Sequence, residues 1–252
     1  MSEAEKQFGR TAQGYLESAT HAGGDDLDWL MAEVGPGIRR ALDLATGGGH
    51  TAYALARRVE QVVAVDITPE MLELVQSEAR ARGLTNLTVA RYRAEELAFE
   101  DGAFDLVTCR IAAHHFTDLE AALAEVARVL VAGGTFLLED NTVPEDEAID
   151  SFINALEKLR DPSHVRSRRP SEWQALLAAA GFKVSKTALL RKRHQVKTWV
   201  ERALEPGPTR DLAYERLRCA EPAVREYLHL TTSDGWPVTF EDEKLMISAR
   251  RG

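Results

Sequence analysis

Ala41-Leu42-Asp43-Leu44-Ala45-Thr46-Gly47-Gly48-Gly49-His50 is the stretch on which the reading of the fold turns. The short apolar run IRRALDL (38–44) carries Asp43 at its end, and the helix-forming GGGHTAYALARRV opens from glycines directly after it. Glycines at such a turn let backbone approach a ligand, and the first N–H groups of the following helix lack intrahelical partners. QVVAVDI (61–67) reads as a second buried strand, closed by Asp66, 19 positions beyond Gly47. An acid at this distance meets the hydroxyls of a bound ribose in nucleotide-binding sheets. Turn and acid both fall at the carboxyl ends of adjacent strands, the usual ligand crevice of open α/β sheets.

Outward from this pair the alternation continues. PEMLELVQSEARARG (69–83) predicts a helix with Pro69 at its start and Gly83 past its end. NLTVARY (86–92), FDLVTC (104–109) and TFLLED (135–140) predict further strands, and LEAALAEVARVLVAGG (119–134) a helix closed by glycines. Strands and helices alternating at this spacing predict βαβ units, hence an α/β fold with a doubly wound, mostly parallel sheet. Before the core, residues 3–35 read as helices with a break at Gly23 and Gly24, an N-terminal helical cover over 1–35. The core spans 38–140 and a C-terminal part 141–252, all within one domain, 1–252. In that last part EDEAIDSFINALEKLRD (145–161) and SEWQALLAAAGF (171–182) read as helices, and KVSKTALLRK (183–192) as a loosely alternating strand. HQVKTWVERALE (194–205) and the stretch near 211–230 also read as helical. They form a helical insertion at about 194–236 before a last strand, PVTFEDEKLMISAR (237–250).

Composition excludes several classes of function. With 252 residues, 44% hydrophobic and 28% charged, the chain is globular rather than fibrous or disordered. No apolar run approaches the roughly 18 residues of a membrane span, and the polar MSEAEKQFGR is no signal peptide, so a cytoplasmic protein is expected. Cys109 and Cys219 stand far apart, two adjacent histidines lack metal-ligand spacing, and no metal site is expected. Residues 1–159 hold 13 basic and 28 acidic side chains, residues 160–252 hold 18 and 12. The basic third either attracts an anionic substrate, through runs such as RSRRP (166–170) and RKRH (191–194), or is a solvated or internally docked surface. The overall charge of −9 and the lack of an aromatic-interleaved basic stripe argue against nucleic acid as a partner.

Two ligand classes fit a glycine turn followed by an acid. Gly47-x-Gly49-x-x-Ala52 formally satisfies the dinucleotide fingerprint G-x-G-x-x-A. Asp43 opposes that reading, because a carboxylate beside the turn would face a pyrophosphate of like charge. It suits a ligand joining a nucleoside to an ammonium group, such as S-adenosylmethionine. A nicotinamide-dependent oxidoreductase and a non-catalytic S-adenosylmethionine-binding domain are the rival readings.

Asp43-x-x-x-Gly47-x-Gly49, Asp66 after VVAV, Ala94-Glu95 after the third strand and CRIAAHHFTDLEAALAEVARVLVAGGTFLLED (109–140) together resemble the class I S-adenosylmethionine-dependent methyltransferases. The resemblance is to their type 11 group and the ubiquinone/menaquinone-biosynthesis C-methyltransferases. It covers positions 8 to about 140, including Phe8-x-x-x-Ala12-x-x-Tyr15, and extends to DPSH and SEWQALLAAAGF, as in bacterial relatives of unassigned function. Thr46 departs from the small residue usual there, and Arg110 stands where base-methylating relatives carry Asn or Asp. The resemblance implies a seven-stranded sheet and methyl transfer to a small-molecule acceptor by in-line displacement, in a monomer or homodimer. Position by position, it implies that Asp43, Ala45, Gly47 and Gly49 hold the methionine moiety and that Asp66 binds the ribose. Ile67, Met71 and Ala94 would line the adenine, and Glu95 would accept from its amine. Arg110 and Ala112 would border the methionine end, with Tyr15 over the sulfonium. A histidine recurs in the family four residues before the Asp of the next helix, here His114 before Asp118, and is the candidate general base. Adjacent side chains on extended backbone point apart, so only one of His114 and His115 is expected to reach the pocket. Asp140 and Asn141 are expected either to touch the acceptor or to cap the next turn.

Overall fold

The computed structural model describes residues 24–252, so Phe8, Ala12 and Tyr15 lie outside the described residues. The core alternates as its hydrophobic pattern dictates. Strand β1 (Arg40–Leu44) leads through the glycine turn into α2 (His50–Ala56), and β2 (Gln61–Asp66) leads into α3 (Pro69–Ala81). Helix α1 (Asp25–Ala32) precedes β1. Then come β3 (Leu87–Arg91), β4 (Phe104–Arg110), a single 3-10 turn (Ala113–His115), α4 (Leu119–Val129) and β5 (Leu130–Thr142). The C-terminal part adds α5 (Glu147–Arg160), α6 (Pro170–Ala179), β6 (Phe182–Gln195), α7 (Val196–Glu201), α8 (Pro208–Arg218), α9 (Pro222–Tyr227), β7 (Thr231–Ser233) and β8 (Trp236–Arg251).

The strands form one sheet in the order β3-β2-β1-β4-β5-β8-β6, with β1 to β5 parallel and β8 antiparallel to both its neighbours. Seven strands are as expected; an eighth, the three-residue β7, pairs with β8 as a hairpin. Its Asp234-Gly235 turn has φ +51° and +78°, the left-handed pair that a tight hairpin needs. Strand order reverses between β1 and β4, which opens a crevice at their carboxyl ends.

Each sheet face carries its own core. Leu30, Tyr53, Leu55 and Val75 of α1–α3 cover one face together with Leu106, Leu137 and Met246. Leu123, Val126, Trp173 and Leu177 of α4 and α6 cover the other with Leu42, Val107 and Leu138. A third cluster packs α5, α7, α8 and α9 around Phe240, through Leu156, Trp199, Leu217 and Val224.

Two boundaries differ from expectation. The fourth helix stops at Val129, because Leu130 is already extended (ψ 144°) and pairs with Phe104, which draws the LVAGG run into β5. His194 and Gln195 are the end of β6, paired with Phe240 and Thr239, rather than the start of a helix. The long antiparallel ladder with β8 holds them extended, and from Ala188 to Gln195 β6 shows the alternating exposure of such a strand.

Candidate functional site

Three left-handed residues within five bend the chain after β1: Ala45 (φ +54°), Gly47 (+50°) and Gly49 (+80°). A Cβ on Gly47 would meet nothing within 4 Å, so this edge of the turn is open. Gly49 is open to nothing: a Cβ there would lie 2.6 Å from the buried Tyr53 ring and 3.0 Å from Val75. Its glycine therefore serves packing beneath the turn, and Gly49 does not line the cavity although its neighbours do.

Asp43 and Asp66 brace this turn from two strands. Asp43 is buried; its Oδ2 accepts from Thr46 Oγ1 (2.6 Å) and its Oδ1 from Thr108 Oγ1 (2.7 Å). Burial pushes its carboxyl up to about 6, against the two hydroxyl donors and the more distant charge of Arg110. Asp66 Oδ2 accepts from the Gly47 N–H (2.9 Å) and Oδ1 from the Thr68 N–H (2.9 Å), and burial likewise raises it. Each carboxylate oxygen retains a second lone pair for a ligand.

These groups open into one cavity of about 720 Å3. Of the expected residues, Asp43, Ala45, Gly47, Asp66, Ile67, Met71, Ala94, Glu95, Arg110, Ala112 and His114 all line it. Glu95 has a second task, since its Oε1 accepts from the Thr117 N–H (3.1 Å) and hydroxyl (2.9 Å) and so fixes the approach to α4. Burial pushes its carboxyl up, but these bonds and the charge of Arg93 outweigh that and hold it below its ordinary value. Arg110 is engaged internally: Nε donates to Glu139 (2.7 Å) and another guanidinium nitrogen to Asp26 of α1. Glu139 is fully buried, and desolvation raises its carboxyl to about 7 despite that partner.

The far half of the cavity was not legible in the sequence, because long-range packing assembles it. The residues following α5, from Asp161 to Val165, form one wall, and Lys192, His194, Asp242 and Lys244 of β6 and β8 form another. The basic runs divide accordingly. In RKRH, Lys192 and His194 face the cavity, whereas Arg191 and Arg193 pair with Glu243 and Glu241. In RSRRP, Arg166 and Arg169 clasp the buried Asp150. That run is structural.

Both His114 and His115 line the cavity, contrary to the expectation of one. The 3-10 turn rotates them onto one side, with ring centroids 4.1 Å apart. His114 Nδ1 lies 2.5 Å from Asp140 Oδ1, and His115 Nδ1 lies 3.1 Å from Ser163 Oγ. Asp140 thus faces a side chain rather than capping a turn. Asn141 lines the cavity and accepts from Lys244 Nζ.

The donor set fits a cationic nucleoside ligand. Among the described residues Asp43 has no ion-pair partner, so a ligand ammonium would complete it.

The profile of the methyltransferase domain family matches residues 42–138. The uncharacterised methyltransferase YcgJ of Bacillus subtilis is 38% identical over 239 residues, 94% of either chain. The chain belongs to the class I, S-adenosylmethionine-dependent methyltransferases. The solved YcgJ structure superposes on this methyltransferase with a TM-score of 0.84 at 36% identity, covering 90% of this chain and 97% of that one. The demethylmenaquinone methyltransferase of Thermus thermophilus is 40% identical over 187 residues, 64% of this methyltransferase and 84% of that protein. No described helix of the methyltransferase is long and apolar enough to cross a membrane.

Proposed function

We propose that the enzyme transfers a methyl group from S-adenosylmethionine to a small-molecule acceptor enclosed in the same cavity. One observation carries this: the cavity that starts at Asp43, Gly47 and Asp66 continues without a break to Lys192, Lys244 and Trp199. Its volume lies within the roughly 300–1,000 Å3 of small-ligand sites. The Thermus thermophilus relative, named for a demethylmenaquinone acceptor, supports a small molecule in this role.

When bound, S-adenosylmethionine supplies an electrophilic methyl group on sulfur with a neutral thioether as leaving group. Asp43 would hold the ammonium and the open Gly47 edge the carboxyl end. Asp66 would hold the ribose hydroxyls. Ile67, Met71 and Ala94 would enclose the adenine, and Glu95 would accept from its amine while keeping its grip on Thr117. In this reading residues 38–140 are the cofactor-binding core and the cluster of α5, α7, α8 and α9 covers the acceptor. Holding acceptor and donor in line and excluding water supplies much of the acceleration.

Calorimetry with S-adenosylhomocysteine and with NADH tests the reading. Micromolar binding of the first, about −8 kcal/mol, with none of the second is expected. Asp66→Ala should weaken it by about 1.5–3 kcal/mol. NADH binding alone would reverse the assignment.

A further inference from the structure

We propose that Lys192 and Lys244 form an anion-binding subsite at the far end of the cavity, and that the methyl acceptor carries a carboxylate or phosphate group held there. The inference rests on the proposed function and adds to it two specificity-determining residues and a chemical class of acceptor.

The pairing of β6 with β8 sorts charge between two faces. Arg191 stands opposite Glu243 and Arg193 opposite Glu241, and they close as ion pairs at 2.6 and 2.7 Å. On this outward face each arginine has its own glutamate. The alternate residues line the cavity: Lys192 and His194 from β6, Asp242 and Lys244 from β8. Lys192 stands opposite Asp242, so Lys244 is its diagonal neighbour on the same face. Here one carboxylate serves several cationic side chains. Asp242 Oδ2 accepts from Lys244 Nζ at 2.8 Å and lies 3.0 Å from His194 Nε2. Burial pushes its carboxyl up, but Lys244 and His194 outweigh that and hold it below its ordinary value.

Burial makes the surplus of positive charge matter. Lys244 is 5% exposed, and Asn141 Oδ1 and Asp242 take two of the three protons of its ammonium. The third is left for a ligand. Lys192 is half-buried, and burial holds its ammonium below its ordinary value. Lys244 and Arg110 press in the same direction, against Asp26 and Glu139, which Arg110 already bridges. An anion between the two lysines would offset both the burial of charge and the repulsion.

The two ends of the cavity therefore ask for ligands of opposite sign. Asp43, Asp66 and Glu95 line the near end and suit S-adenosylmethionine, whose sulfonium and ammonium outnumber its one carboxylate. The far end also holds room for an organic body. Trp199 lines it, with its ring edge-on to Phe240 at 5.0 Å and the Arg160 guanidinium 4.3 Å from its centroid. Arg202, one turn further along, adds an exposed guanidinium to the cavity wall. An acceptor with an apolar body and an anionic group matches this wall. Lys244 belongs to neither of the basic runs, and only the pairing of β6 with β8 brings it beside Lys192.

Calorimetry on the whole protein saturated with S-adenosylhomocysteine tests the subsite, with benzoate, phenyl phosphate and the neutral benzamide as probes. One-to-one binding of benzoate or phenyl phosphate is expected, at least tenfold tighter than benzamide, and the better of the two tells carboxylate from phosphate. Lys192→Met and Lys244→Met should each weaken the bound anion about 10–100-fold, while Lys192→Arg keeps it within about threefold. Affinity for S-adenosylhomocysteine should stay within about twofold in all three variants. Binding of neither anion, benzamide binding as tightly, or anion affinity indifferent to Lys192→Met would overturn the subsite. A parallel fall in S-adenosylhomocysteine affinity would assign the lysines to the cofactor's own carboxylate and overturn it equally. Wild type and Lys192→Met decide the matter even if Lys244→Met fails to fold. For the acceptor itself, the enzyme is given methyl-labelled S-adenosylmethionine and a bacterial small-molecule extract. The labelled product is expected to be retained on an anion exchanger at neutral pH; a product that flows through, or none, would overturn the acceptor class. Failure of S-adenosylhomocysteine to bind wild type would instead strike the proposed function, and the same anion titrations without it would still decide the subsite.

Discussion

A carboxyl group sealed inside a protein must be protonated or paired, and Asp43 is poised between these states. Its folded value of about 6 stands above the ordinary 3.8, because burial disfavours the charge. The associated stabilisation is therefore fully present below about pH 4 and is lost as pH rises through 6, a difference of about 3 kcal/mol. Asp43→Asn keeps hydrogen-bonding capacity toward Thr46 and Thr108 without the charge. It should raise stability at pH 7.5 by about 1–3 kcal/mol while weakening S-adenosylhomocysteine at least tenfold, about 1.4 kcal/mol. Urea midpoints at pH 5 and 7.5, with calorimetry alongside, check this; a variant less stable at both pH values would refute it. Gly47 and Gly49 separate binding from packing at the same scale. Gly49→Ala forces a Cβ against Tyr53 at φ +80°, and should cost about 2–4 kcal/mol by urea denaturation. Gly47→Ala meets no atom, so its stability loss should stay near the 1–2 kcal/mol of a left-handed alanine, with cofactor affinity the larger loss. Equal stability losses would contradict the division.

Elements of the C-terminal part depend on one another through buried charge. Helix α5 buries Asp150, which accepts from Arg166 (2.8 Å) and Arg169 (2.7 Å) beyond its C-terminal loop. This clasp sets the path of residues 161–169, and with it the amides of Val165 and Arg166 that hold the His114 carbonyl. Removing one partner of a buried pair typically costs 3–5 kcal/mol, and the partly exposed arginines reduce that here. Asp150→Ala should lose about 2 kcal/mol and speed hydrogen exchange at Val165 and Arg166 selectively. Uniform exchange changes across the chain would show that the clasp has no local role. The sequence displayed the helix and the basic run separately. Their pairing was hidden because residues 150 and 166–169 meet only after the chain turns back on itself.

For the whole molecule, a ligand that binds only the folded chain stabilises it by mass action. S-adenosylhomocysteine at 100 times its dissociation constant should add about 2.7 kcal/mol, or roughly 5–10 °C in Tm for a chain of this length. A saturating titration with no thermal shift would place the ligand outside the folded cavity. What the sequence alone determined is the parallel α/β core and one half of the cavity, from Asp43 through Asp66 to Glu95. These are local signals: a short apolar strand, a glycine turn and the next strand lie within a few tens of residues. Tertiary structure decided the rest. It assigned Gly49 to the Tyr53 contact, kept His194 in an extended ladder and turned both His114 and His115 to one side. It also brought Asp140 to His114 and Lys192 and Lys244 to the far wall. Each of these depends on which strand lies beside which, and that follows from packing the two faces of a sheet rather than from any pattern along one segment.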